Sequence, residues 1–263
     1  MGKTFTSLEK AIDIISLFDS EHQDFSAHEI SQKLKLPLST TYKYLDVLLK
    51  RDFLSKDKDA KKFSLGLMFF KLGNLASAKI KHVDVARPHM QTLSKISGET
   101  VTLTVVKGWE SLCVEKIETP KKIQLLVERG SSIPLHAGSS QTILLAYQDE
   151  SFIEAMIEKR PLTKLSDNTL TERDRLREEL ALIREQGYAF SDSTVEPGAA
   201  AIAAPVFDNE GRIAAGLSVV GPRDRIRGEN FMELVDMVKE SAKRISYDLG
   251  WHPPSQQKPD LAG

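Results

Sequence analysis

The feature that most restricts the fold of this chain is a helix-start signal repeated near its front. Thr6-Ser7-Leu8-Glu9 and Ser26-Ala27-His28-Glu29 each place a hydroxyl residue three positions before a glutamate. At that spacing the hydroxyl accepts the glutamate's own backbone N–H, and the glutamate side chain accepts the backbone N–H of the hydroxyl residue. Two orphan donors of a helix start are then satisfied at once. Leu8, Ile12, Ile15 and Phe18 follow the first signal, and Ile30 and Leu34 the second. Both stripes have helical spacing and are expected to face one small core. Lys35-Leu36 makes a short turn into a third helix, whose first turn suits Pro37 because the missing N–H has no partner there. Leu38, Leu45, Leu48 and Leu49 are its core candidates. Phe53-Leu54 and Lys62-Phe63-Ser64-Leu65 read as two strands, and the Asp and Lys residues between them suit a hairpin tip. Three helices and a hairpin within residues 1–66 describe a winged helix-turn-helix.

The third helix is too polar at its front for a single buried stripe. Ser39, Thr40, Thr41, Tyr42 and Lys43 follow one another there. Hydroxyls bond phosphates or base edges and lysine supplies charge, so the group is expected to face DNA. For single residues a plainer reading stays open, with Ser39 or Thr40 capping the helix and Tyr42 packing in the core. The hairpin carries Lys56, Lys58, Lys61 and Lys62, of which Lys61 and Lys62 are the expected phosphate contacts. Asp57 and Asp59 offset part of that charge, and a merely solvated hairpin is the alternative. The formal charge of the whole chain is −1, so DNA binding must come from a local patch.

Behind the hairpin, residues 67–82 read as a linker helix. Its run Leu67-Met68-Phe69-Phe70-Lys71-Leu72 is apolar enough to need a partner, and a second chain is the expected one. Residues 83–252 alternate the two kinds of element. Helices are expected over Asp84–Ser97, Ser139–Tyr147, Thr171–Gln186 and Phe231–Leu249. Strands are expected over Val101–Lys107, Ser111–Ile117, Ile123–Val127, Tyr188–Ser191, Ala201–Phe207 and Ile213–Val219. Hairpins among them argue an α+β domain with a mostly antiparallel sheet, and residues 253–263 form a polar tail. At 263 residues two domains are expected. Cys113 is the only cysteine, which excludes an intramolecular disulfide and a cysteine-rich zinc site. No apolar run reaches spanning length and no signal-peptide core is read, so a soluble cytoplasmic protein with no membrane partner is expected.

Several segments recur together in one known family. They are Ser7-Leu8-Glu9-Lys10-Ala11-Ile12-Asp13-Ile14, Leu36-Pro37-Leu38-Ser39-Thr40-Thr41-Tyr42-Lys43 and Phe63-Ser64-Leu65-Gly66. Further on come Ile133-Pro134-Leu135-His136-Ala137, Gly187-Tyr188 with Ser191, and Ala201-Ile202-Ala203-Ala204-Pro205-Val206-Phe207-Asp208. In this order the set resembles the IclR family of bacterial transcription regulators over nearly the whole chain. The resemblance implies a GAF-like effector-binding domain, a homodimer or homotetramer, a double-stranded DNA operator and an organic acid or aromatic metabolite as effector. A repressor of a catabolic operon is the expected role, with no cofactor, metal ligand set or catalytic residue. By position it nominates Ser139, Ser140, Ser191, Asp192, Ala201, Ser218 and Val220 for the effector pocket. Ala137-Gly138-Ser139-Ser140 precedes an apolar helical run, so free N–H groups of a helix start would meet a carboxylate there. The alternative is that Ser139 and Ser140 only cap that helix.

The chain departs from the family pattern at named places. Lys35 replaces the usual glycine, Lys43 a common arginine and Thr194 a signature glutamate, with Glu196 nearby but out of register. Ala201 and Val220 stand where some relatives carry cysteine and serine, which makes the pocket less polar than in those relatives. A different class of function is a metabolite-converting enzyme with an interaction module at its front. Against it, no nucleophile elbow, dinucleotide loop or phosphate loop is found, and the six histidines lack metal-ligand spacing. His136 reads as a structural hydrogen-bonder and Cys113 as a small buried hydrophobe. A third reading is a sensor acting through protein partners.

Overall fold

In the computed structural model, which describes residues 6–19, 22–57, 59–77, 81–118 and 128–253, the second capping box is closed. Ser26 Oγ accepts the Glu29 N–H at 3.2 Å, and Glu29 Oε2 accepts the Ser26 N–H at 2.7 Å. The backbone bond from Ser26 is the main reason the Glu29 carboxyl lies below its ordinary range. The chain divides into two units, residues 1–80 and 81–263.

The first unit runs α1 (Thr6–Ile15), β1 (Asp24–Ser26), α2 (Ala27–Lys33), α3 (Leu38–Lys50), β2 (Leu54–Lys56), β3 (Lys62–Leu65) and α4 (Leu67–Ser77). Its strands form an antiparallel sheet in the order β1-β3-β2, with Phe25 opposite Phe63. Phe25 and Phe63 join Ile14, Ile30, Leu45, Leu48 and Leu54 in the core. Three expectations change here. Leu8 and Ile12 are 61% and 52% exposed, so the first half of the expected stripe faces outward, while Ile15 and Phe18 pack against the core beside the fully buried Ile14. Leu38 is exposed at the tip of α3, and Pro37 stands just before that helix as its cap. The expected cap at Thr6 rests on a side chain outside the described ones, and α1 begins at Thr6. In the α2–α3 turn, Ser31 Oγ donates to the Leu36 carbonyl at 2.6 Å, and the Leu36 N–H donates back to the Ser31 carbonyl. Lys35 is held inside that loop at φ 52°, the left-handed conformation a glycine would adopt more easily.

Gly66 joins the wing to α4. Its N–H donates to the Phe53 carbonyl at 2.9 Å, and Met68 N–H donates to the Asp52 carbonyl at 3.1 Å. A Cβ at Gly66 would stand 2.1 Å from Asp52 O, so only glycine lets the two backbones approach. Phe69 packs edge-on against Phe53, while Leu67 and Phe70 are 82% and 71% exposed.

The second unit runs α5 (Lys81–Ser97), β4 (Thr100–Lys107), β5 (Glu110–Ile117), β6 (Ser132–Pro134), α6 (Ser139–Ala146), α7 (Glu150–Lys159) and α8 (Arg173–Gln186). It continues with β7 (Ala189–Asp192), β8 (Ala199–Phe207), β9 (Ile213–Pro222), α9 (Arg223–Ile226) and α10 (Phe231–Asp248). One antiparallel sheet has the order β6-β5-β4-β9-β8-β7. Successive residues of β4 and β9 are buried, so the sheet centre is covered on both faces, as α+β packing requires. Every residue of α6 is buried, and Ile143 and Leu144 join Met156, Leu176 and Leu180 in one core cluster. The strand expected over 123–127 lies outside the described residues. Among those residues no helix is long and apolar enough to cross a membrane.

Candidate DNA-binding surface and ligand cavity

Helical geometry sorts the polar front of α3. Ser39 and Lys43 are exposed and Thr40 is half-buried. Tyr42 is 51% exposed, which removes the reading that packed it in the core. Thr41 is the correction. It is fully buried, and its hydroxyl donates to the Pro37 carbonyl at 3.2 Å. One step along the helix from two outward residues, it points inward and belongs to the core.

The wing lysines are unequal too. Lys62 Nζ meets Asp24 Oδ1 at 2.5 Å, tying β3 to β1, and that bond raises the lysine pKa. Lys56 Nζ lies 5.3 Å from the centre of the Phe63 ring, within cation–π range. Asp57 accepts the N–H groups of Asp59 and Ala60, so its charge shapes the hairpin tip. Lys61 is exposed, with φ 53°, and Lys58 lies outside the described residues.

In the second unit a cavity enclosing about 610 Å³, mouth included, lies between the start of α6 and the sheet. Ser139, Ser140, Ser191, Ala201 and Val220 line it, as expected. Two expected residues do not. Ser218 is fully buried behind the wall, with Oγ 2.7 Å from both Thr102 Oγ1 and Ser140 Oγ. Asp192 points away and pairs with Arg223 and Arg227, each at 3.1 Å. Thr102 sits directly opposite Ser218 in the β4–β9 ladder, so strand register builds the hydroxyl chain. Thr104 Oγ1 adds a bond to the Ser140 carbonyl at 3.1 Å, fixing the first turn of α6 to the sheet.

Gln141 and Ser139 face the same space. Ser191 Oγ donates to Ser139 Oγ at 3.1 Å. Gln141 and Thr142 N–H groups turn back to the Gly138 carbonyl, and among the described residues no backbone carbonyl takes up those of Ser139 or Ser140. Sequence reasoning missed Thr102, Gln141, Thr194, Val195 and Glu196 as lining residues. The departure noted at Thr194 and Glu196 was a usable signal, since both reach the cavity. Cys113 also lines it, and burial pushes its thiol up to about 11, so it is a protonated wall group. His136 lies elsewhere, buried, with Nε2 2.9 Å from the Thr163 carbonyl. Among the described residues no group of acidic, cysteine or histidine side chains could hold a metal.

A winged helix-turn-helix followed by an α+β unit with an internal cavity defines a class, DNA-binding proteins with a ligand-sensing domain. Residues 7–58 match the IclR helix-turn-helix domain and residues 74–247 the bacterial transcriptional regulator IclR C-terminal domain. The chain belongs to the IclR family of bacterial transcriptional regulators, and the enzyme reading falls. It is 31% identical over 248 residues to the HTH-type transcriptional repressor AllR of Salmonella typhimurium, covering 94% of this chain and 91% of AllR. The Thermotoga maritima IclR crystal structure superimposes with a TM-score of 0.79 at 29% identity, over 94% of this chain and 100% of that one. An IclR homolog from Microbacterium hydrocarbonoxydans, solved with 4-hydroxybenzoate, gives 0.82 at 27% identity, over 92% and 98%.

Proposed function

We propose that this regulator is a cytoplasmic repressor of a catabolic operon, released from its operator by a small carboxylate. The observation that carries the reading is the cavity at the start of α6, where the Ser139 and Ser140 N–H groups meet enclosed space beside Ala201 and Val220. A helix start favours an anion, and the apolar residues suit the body of an organic acid. The relative AllR is named a repressor and the Microbacterium homolog holds a carboxylate, which agrees with this reading. Ser39, Thr40, Tyr42 and Lys43 would meet the operator, with Lys61 on the backbone. The exposed apolar side chains of α4 and α1, Leu67, Phe70, Leu75, Leu8 and Ile12, would be covered by a second copy, giving a homodimer or homotetramer. A two-fold protein reads half-sites separated by whole helical turns of about 34 Å.

An effector changes DNA affinity only through unequal binding to two states, and couplings of about 1–3 kcal/mol are usual. The test is a mobility-shift titration on the DNA upstream of this gene, with a panel of small carboxylates including 4-hydroxybenzoate. Ser140→Phe should abolish release by any active acid while leaving basal binding intact. A variant that still responds at unchanged effector concentration would place the effector elsewhere.

A further inference from the structure

Gln141 is 5% exposed and lines the cavity. Its Nε2 donates to Ser111 Oγ at 3.0 Å, and Ser111 donates to the Ile133 carbonyl at 3.2 Å. A hydroxyl has one proton. Ser111 gives that proton to a carbonyl, so it offers Gln141 only lone pairs. This fixes which way round the amide lies, with the NH₂ toward Ser111 and Oε1 away from it. Oε1 lies beside Gly138, where an added Cβ would be 2.6 Å from it and 3.0 Å from Val195 Cγ2. Gly138 and Val195 are themselves cavity residues.

No donor meets Gln141 Oε1 among the described residues. Among the described residues the sealed polar side-chain atoms without a hydrogen-bond partner are His82 Nδ1 and Glu115 Oε2, and the latter is ion-paired with Arg87 at 2.6 Å. Gln141 Oε1 therefore keeps open surface, and at this depth that surface gives onto the cavity. Glu196 brings a second acceptor to the same space, and among the described residues none that lines it is a lysine, arginine or histidine. Among the described residues the cavity thus has N–H donors at Ser139 and Ser140 and acceptors that meet no donor at Gln141 and Glu196.

We infer that Gln141 is a specificity-determining residue that accepts a hydrogen bond from the effector, which is an acid carrying a hydroxyl or N–H and not a plain carboxylic acid. The inference rests on reading the cavity as an acid site. An effector without a donor would cover an acceptor it cannot satisfy, a loss of roughly ten- to a hundredfold in affinity. The site would therefore discriminate by chemistry as well as by size.

The test is calorimetric titration of the full-length protein with two probe pairs, 4-hydroxybenzoate against benzoate and 3-hydroxybutyrate against butyrate. The hydroxylated member of a pair that binds should be roughly ten- to a hundredfold tighter. Gln141→Met and Gln141→Leu, each checked for folding by circular dichroism, should erase the difference within that pair, weakening the hydroxylated member without weakening its partner. Equal binding within every pair that binds overturns the inference but leaves the acid site standing, and this comparison needs no variant. Equal loss on both members in the variants overturns it as well. If no probe binds, the acid-site reading fails and takes this inference with it.

Discussion

Ser218 and Ser140 bring their hydroxyl oxygens to 2.7 Å, one from the centre of β9 and the other from the first turn of α6. Thr102 closes the chain from β4 at the same distance from Ser218. Ser218 therefore acts on the cavity from behind. It holds the serine that lines the cavity, and strand register holds Ser218.

Ser218→Ala should therefore be felt twice. It leaves two buried hydroxyls without their shared partner, and stability should fall by about 1–3 kcal/mol. It should also raise the effector concentration needed for release, while operator binding without effector stays intact. Urea denaturation of Ser218→Ala, Ser140→Ala and the double variant checks the mechanism. A coupling of about 0.5 kcal/mol or more between the two sites is expected for side chains in one network. Strict additivity would show that the chain carries no energy.

On α3 the buried threonine divides the residues by consequence. Thr40→Ala with Tyr42→Ala should weaken operator binding more than binding to random DNA, since a lost base contact costs about 1–3 kcal/mol. Thr41→Ala should instead lower the melting temperature of the first unit and leave the specificity ratio alone. Competition binding against random duplex, run beside thermal melts, separates the two. Equal losses on both DNAs would make Thr40 and Tyr42 backbone contacts.

In the wing, Lys61 and Lys62 should behave differently despite being neighbours. Lys61→Ala should flatten the dependence of log K on log salt by about one unit, the signature of one lost phosphate contact. Lys62 is already engaged by Asp24, so Lys62→Ala should change that slope less and loosen the β1–β3 pairing instead. The same slope loss for both would show that the Asp24 pair opens on DNA.

Much of this was legible in the sequence because it is local. The Ser26 capping box, the wing strands and the long α10 follow from residues a few positions apart, while the cost at Lys35 came from the family resemblance. Leu8 and Ile12 misled because a helical stripe shows that a face is apolar without saying which neighbour covers it. β1 escaped because three residues carry no period, and its pairing with β3 is a long-range event. Thr41 looked like its neighbours because turning by one residue on a helix leaves no mark in composition. In the cavity, position nominated Ser218 and Asp192, but only register and the arginines of the α9 region show that one lies behind the wall and the other turns away. α7 had a readable pattern in Phe152, Ile153, Met156 and Ile157 that the sequence reading did not use.

Acid should weaken the second unit through His136. The imidazole is buried, and that burial pushes its pKa below the ordinary 6.5, with the bond to Thr163 O acting weakly the other way. The unfolded chain therefore takes up a proton near pH 6.5 while the native site resists it. The stabilisation is complete above that pH and is lost as pH falls toward the depressed native value, at up to about 1.4 kcal/mol per pH unit. Glu179 works in the opposite sense. Burial raises its pKa, so the penalty it adds at neutral pH fades as acid protonates it. The informative quantity is thus the difference between wild type and His136→Phe, which cannot take up the proton. Denaturation midpoints at pH 7.5 and 5.5 should show wild type losing more stability than the variant over that interval. Parallel losses in the two proteins would assign the acid sensitivity to other groups and leave His136 with a purely packing role.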